Sequence, residues 1–356
     1  MIILLIIIFV IIATLALLEE EENNIYNTYI YWGIGIFLLL TASLREVGLD
    51  HDSTNYEYVF THTNSPLLGL MEFSFLFISN IVNFFTDDVH VLFFVYACLG
   101  VLLKLKAIKE LSPFYFLPLI IYFSNYFMLH EMTQIRAGVA ASMLLMSIRP
   151  LSEGRKLTAT FWILLALFFH YSSAILIPIL FLSPNEMSIR SRQIWGGLIP
   201  LVYLLYLLHI DFILSLPIPF INDKIEIYRT FKDKGILGDD LNVFNYLQLL
   251  RISIFYFTLY YYDLIKQYNK FLPILTKMMA ISIASYVFLS GIPVIAIRIS
   301  ELFGVVDIIM FVNIYYTIKP SYLPKAIIIL IAIALFYMDI AMVGLFDPSK
   351  APAFNN

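Results

Sequence analysis

Cysteine, charge and long polar stretches are all scarce in this chain. A single cysteine among 356 residues, Cys98, excludes an intramolecular disulfide framework. No His, Cys, Asp or Glu set has the spacing of a metal site, so neither metal nor cofactor is expected. Charged residues make up only 13% and apolar residues 61%, against roughly 25% and 45–50% in soluble domains. With a mean hydropathy of +0.85, this excludes a soluble enzyme and leaves no room for a sizeable extramembrane domain. The net charge of −4 and the lack of a basic tail exclude a nucleic-acid partner. Internal repeats and low-complexity segments are absent. The first residues, MIILLIIIFVIIATLALL, lack a basic region and a small-x-small cleavage site, so they are expected to be a retained span.

What is there is apolar sequence in span-sized pieces. A crossing needs about 20 apolar residues. Candidate spans are 2–18, 29–44, 89–103, 114–130, 134–149, 194–210, 246–265, 274–292, 298–318 and 323–345. The expected fold is one integral membrane domain over 1–356, all-α and polytopic, with about 10–12 transmembrane helices plus re-entrant or amphipathic outer helices. Short loops rich in Lys and Arg mark the cytoplasmic side: Lys104 to Lys109, Arg149 to Lys156, Arg190 and Arg192, Lys266 to Lys277, and Lys319 with Lys325. For 156 and 190 to share a side, 157–182 must turn back, which predicts a short hairpin with FHYSS at its tip. Counting along the chain puts 45–88, with the amphipathic stretch 66–85, and the long loop 211–245 on the outer side. That second loop carries Lys224, Arg229, Lys232 and Lys234, and reads either as a solvated interfacial segment or as a collector of an anionic ligand.

Three arginines stand at or near the entry to apolar runs: Arg136, Arg251 and Arg298. A charge at membrane depth usually faces a polar cavity or a partner. The planar guanidinium suits phosphate. Around them lie further polar groups. His130 and Gln134 are four apart and share a face on a continuous helix. Arg298 and Glu301 are three apart on one face, either as a self-contained ion pair or as an acid that aims its arginine. His170, beside Ser172 and Ser173, marks the hairpin tip, as a satisfied core group or as a base. The loop REVGLDHDSTNYEY gathers Arg45, Asp50, Asp52, Asn55 and Tyr56, types that hydrogen-bond sugar hydroxyls or simply face solvent.

In their order and spacing these pieces resemble the EpsG/Wzy type of bacterial polysaccharide polymerase. The matching residues are Arg45 with Asp52 and Tyr56, Pro66 with Leu67, Arg136 with Gly138, the run Phe169-His170-Tyr171-Ser172, and Arg298. In two respects the chain departs from the pattern: Ser65 stands where an acidic residue often precedes the proline, and the first cytoplasmic loop is acidic. The resemblance implies a GT-C-like glycosyltransferase, independent of metal, in the bacterial inner membrane with its site facing the periplasm. It would join oligosaccharide repeat units carried on undecaprenyl diphosphate. Arg136, Arg298 and Arg251 would hold the diphosphate. His170 or Asp52 would activate or position the acceptor hydroxyl. Arg45, Tyr56, His130, Gln134 and Glu301 would bind glycan or orient the others. The implied partners are the lipid-linked oligosaccharide, the bilayer and a chain-length regulator protein. Competing readings are an O-antigen ligase-like transferase and a lipid-linked oligosaccharide flippase. The missing repeats argue against the transporter.

Overall fold

The computed structural model describes residues 1–20, 25–50, 52–62, 71–210 and 241–346. Pro66, Leu67, Ser65 and nearly all of the loop 211–245 lie outside them. Every regular element among the described residues is helical. In chain order these are α1 (Ile2–Leu18), α2 (Ile25–Ser43), α3 (Ser53–Thr61), α4 (Phe73–Asn83) and α5 (Val89–Leu111). Next come α6 (Phe116–Ile121), which runs into a π-helical segment (Tyr122–Glu131), then α7 (Ile135–Ser152) and α8 (Lys156–Phe169). A 3₁₀ arm (Tyr171–Phe181) precedes α9 (Ile189–Leu207), α10 (Tyr246–Tyr260) and α11 (Tyr262–Ile265). The chain finishes with α12 (Leu272–Phe288), α13 (Pro293–Gly304), α14 (Asp307–Met310) with a 3₁₀ turn (Phe311–Tyr316), and α15 (Tyr322–Tyr337) with a closing π turn (Met338–Val343).

This is an all-α polytopic membrane protein. Ile25–Ser43, Val89–Leu111 and Tyr322–Val343 are each long and apolar enough to cross alone. Other apolar helices are shorter, and several expected spans are made of two pieces meeting at a π or 3₁₀ turn. The periphery exposes large apolar side chains, among them Ile3, Ile7 and Val10 on α1 and Leu330 and Ile333 on α15. Such a surface is untenable in water and is what hydrocarbon requires. The centre is α7, buried at almost every position and packed on α5 and α8. Gly138 makes this possible, because a Cβ there would lie 2.9 Å from that of His130 and 3.0 Å from its carbonyl oxygen.

One end of the bundle collects the basic loops and ties them to acids from other loops. Arg149 reaches Glu110 at 3.4 Å, Lys270 reaches Glu153 at 3.9 Å, and Lys266 meets Glu186 at 2.7 Å. Arg192 grips Asp263 in a fork, at 2.8 and 2.9 Å. Glu19, just after α1, caps α6: its carboxylate accepts the amides of Tyr115, Phe116 and Leu117 at 2.5–3.2 Å. So Glu19, which opens the acidic first loop, lies at the same end as the basic ones. Several of the cytoplasmic markers lie within helices rather than loops, and one of them, Lys104, is turned fully inward. It lies inside α5, fully buried, donating to Glu131 at 2.6 Å and to the Gly138 carbonyl at 2.8 Å. Its long stem turns a charge predicted for the surface into an internal one.

The segment 157–182 does turn back. Helix α8 ends at His170, whose extended backbone (φ −151°, ψ 114°) breaks the helix. The 3₁₀ arm returns along α8 to Ser183, whose carbonyl accepts from Lys277 at 2.5 Å, near where Lys270 meets Glu153. Both legs therefore start and finish at the basic end. Fourteen residues at 1.5 Å and eleven at 2.0 Å give arms of about 21 and 22 Å. Each is shorter than the ~30 Å hydrocarbon core, so neither arm is long enough to cross it alone.

Candidate active site

The hairpin tip is held by the residues just before α4. Glu72 is buried and accepts at both carboxylate oxygens. Oε1 takes His170 Nδ1 at 2.8 Å, and Oε2 takes the guanidinium of Arg136. One residue on, the Phe73 amide donates to the Tyr171 hydroxyl at 3.2 Å, and the Phe73 ring packs edge-on against Phe168 at 5.4 Å. Arg136 lies over the Tyr56 ring at 5.5 Å, and Tyr56 packs against Phe75 of α4 at 5.5 Å. A single chain of contacts thus runs Tyr56–Arg136–Glu72–His170 across α3, α7, the start of α4 and the hairpin.

Behind His170 opens a narrow cleft lined by His130, Gln134, Ala137, His170, Arg298, Glu301 and Leu302. The π-helical segment and α7 bring His130 and Gln134 to it, but not on a continuous helix. The π turns end at Glu131, Met132 and Thr133 form a turn, and Gln134 caps α7. The amides of Met132 and Gln134 reach back five residues, to Phe127 and Leu129 at 3.2 and 2.8 Å. That wider, underwound path sends His130 to the cleft and Glu131 to Lys104. Helix α13 supplies Arg298 and Glu301, three residues apart, and Gln134 lines the cleft with them. Arg298 is exposed and makes no ion pair within 4 Å among the described residues.

Three predicted site residues lie elsewhere. Arg251 is enclosed by protein: it pairs with Asp307 at 2.7 Å and donates to Ser300 at 3.0 Å and to Ser282. Gly304 gives it room, since a Cβ there would collide with the guanidinium. Tyr126 completes the knot, donating to the Gly304 carbonyl at 2.5 Å. Arg45 is fully buried, bonded to Asp50 at 3.0 Å and to the Ala42 carbonyl at 2.6 Å, and lies 4.1 Å over Phe93. Its partner Asp50 accepts the amides of Asp52 and Ser53 at 3.0 Å, so Arg45 shapes the chain's entry into α3. Asp52 caps α3 and does not line the cleft.

The residue that sequence reasoning passed over is Glu72. Its sign in the sequence is an isolated carboxylate within a run of apolar residues, LLGLMEFSFLF. Among the described residues no three His, Cys, Asp or Glu side chains come together as a metal-ligand set. The polar groups that line the cleft are one guanidinium, two imidazoles, one carboxamide and one carboxylate.

No curated protein and no solved structure matches the chain significantly. A family model does, over residues 28–350, which takes in most of α2, all of α3 through α15 and every residue of the site. The chain therefore belongs to the EpsG family, a Wzy-type family of membrane polysaccharide polymerases.

Proposed function

We propose that this chain joins oligosaccharide units carried on undecaprenyl diphosphate, at the outer face of the bacterial inner membrane. The basic end of the bundle is then cytoplasmic, and the hairpin tip approaches the site from below. The observation that carries the reading is the meeting of His170 and Arg298 across one cleft, with Arg136 tied to the same imidazole through Glu72. In the reaction an acceptor hydroxyl gives its proton to His170. Its oxygen bonds the anomeric carbon of the donor as the bond from that carbon to the diphosphate oxygen breaks. The electron pair leaves with the lipid diphosphate. Arg298 and Arg136 take up the negative charge that develops there, where little water competes. Asp52 and Tyr56, on the outer loop and α3, border the acceptor's path.

Purified protein incubated with lipid-diphosphate-linked repeat units should give a ladder of lengths. Transfer only to a lipid A-core acceptor would make it a ligase, and movement of the lipid across vesicles without transfer would make it a flippase. Because arginines carry the charge, the ladder should survive EDTA. Loss in chelator with rescue by Mg²⁺ or Mn²⁺ would overturn the arginine mechanism.

A further inference from the structure

We infer that Glu72 is the positioning residue that sets the tautomer of His170 and so makes its free nitrogen a base. This rests on the transferase reading above. The argument is one of donors and acceptors. An ionised carboxylate only accepts, and a guanidinium only donates. Glu72 spends Oε2 on Arg136 and turns Oε1 to His170 Nδ1 at 2.8 Å. Nδ1 must therefore carry a proton, and in the neutral ring this leaves the Nε2 lone pair for an incoming hydroxyl. Among the described residues Nδ1 is the only ring nitrogen of His170 with a partner, and the ring lines the cleft. Buried carboxylates fix imidazoles in this way in hydrolase triads, where the wrong tautomer is inactive although the geometry survives.

The carboxylate sits where it can hold this register. Glu72 precedes α4 with an extended backbone (φ −70°, ψ 155°). The next residue clamps the tip a second time through Phe73 and Tyr171. The hairpin tip is thus held by contacts from two successive residues, Glu72 to the imidazole and Phe73 to Tyr171, and the same carboxylate binds Arg136. Base and diphosphate-binding arginine are aligned by one side chain.

A Glu72→Gln variant separates this role from simple packing. The amide is isosteric but has one oxygen and one NH₂. Arg136, a donor only, claims the oxygen. The NH₂ then faces Nδ1 and requires it to be unprotonated, so the proton moves to Nε2. In ¹⁵N-histidine-labelled protein in alkaline buffer, with the His170 signal assigned by its loss in His170→Gln, the wild type should show Nδ1–H. Glu72→Gln should show Nε2–H. Turnover should fall by roughly 10²–10⁴-fold, the range for losing a general base, while apparent KM for the lipid-linked acceptor stays within about threefold. Glu72→Asp, which keeps an acceptor-only group, should keep Nδ1–H and recover part of the rate. An Nε2–H wild type would overturn the inference, and so would a Glu72→Gln protein that loses turnover with its tautomer unchanged. If the wild type transfers no sugar while the tautomer switch is observed, the failure lies in the reading of the reaction and not in the hydrogen-bond assignment of Glu72.

Discussion

Arg251 and Arg298 enter the membrane region in similar sequence surroundings and end in opposite ones. Arg251 is wrapped by Asp307, Ser300 and Ser282, with Gly304 making space. Arg298 is exposed to a cleft, three residues from Glu301 and across from His170. The Lys104–Glu131 pair is of the first kind, and Glu72–Arg136–His170 of the second. The difference lies in what the remaining hydrogen-bonding capacity faces. A charge whose donors are used by protein joins helices. A charge with capacity left toward a cavity can meet a ligand.

The sharpest way to break this comparison is to truncate both arginines. Arg298→Ala and Arg136→Ala should abolish the ladder while the protein stays folded in the membrane, and lysine should rescue poorly, lacking the fork. Arg251→Ala should also abolish it, but by leaving Asp307 buried and unpaired, at a cost of about 3–5 kcal/mol. Protein yield and thermal unfolding in detergent separate the two. A well-folded, inactive Arg251→Ala would move that arginine into the site. A poorly folded Arg298→Ala would move it out.

A second test concerns the closed pair. Lys104→Met or Glu131→Met alone should destabilise by about 3–5 kcal/mol, whereas the double substitution should lie near the wild type. A double variant that folds normally and makes no polymer would mean that the pair does more than join α5 to the π-helical segment.

Smaller effects are expected at the basic end. Glu19→Ala removes the acceptor for three amides at the start of α6, and losing a helix cap costs about 1 kcal/mol. Asp263→Ala, which frees Arg192 at the exposed edge, should leave the unfolding temperature essentially unchanged. An Asp263→Ala protein that fails to fold would show that the ion pairs of this end hold the bundle together.

Much of the fold could be read from the pattern of residues. Apolar runs marked an all-α membrane protein, three of whose helices are long enough to cross alone, and the clustering of lysine and arginine required 157–182 to return, which it does at His170. The pattern could not show that His130 and Gln134 reach one cleft over a π-helical segment and a turn, because an extra residue in a helix changes the facing of everything after it without changing composition. Nor could it separate Lys104 from the exposed Lys106 and Lys109, three lysines within six positions whose difference is the direction of one side chain.

The site was legible in part. Arg136, Arg298, Glu301, His130, Gln134 and His170 were singled out by type and place, because charged and polar groups in apolar sequence are costly and stand out. Their grouping was not legible, nor was the separation of Arg251 and Arg45 from them. The sequence by itself determined that this is a helical membrane protein with arginines inside it, since insertion depends on local apolarity and on the charge of short loops. Only the tertiary structure decided which arginine is satisfied and which is open, and that Glu72 joins Arg136 to His170. Those contacts span 64 and 98 residues of chain, and no local rule of spacing reaches that far.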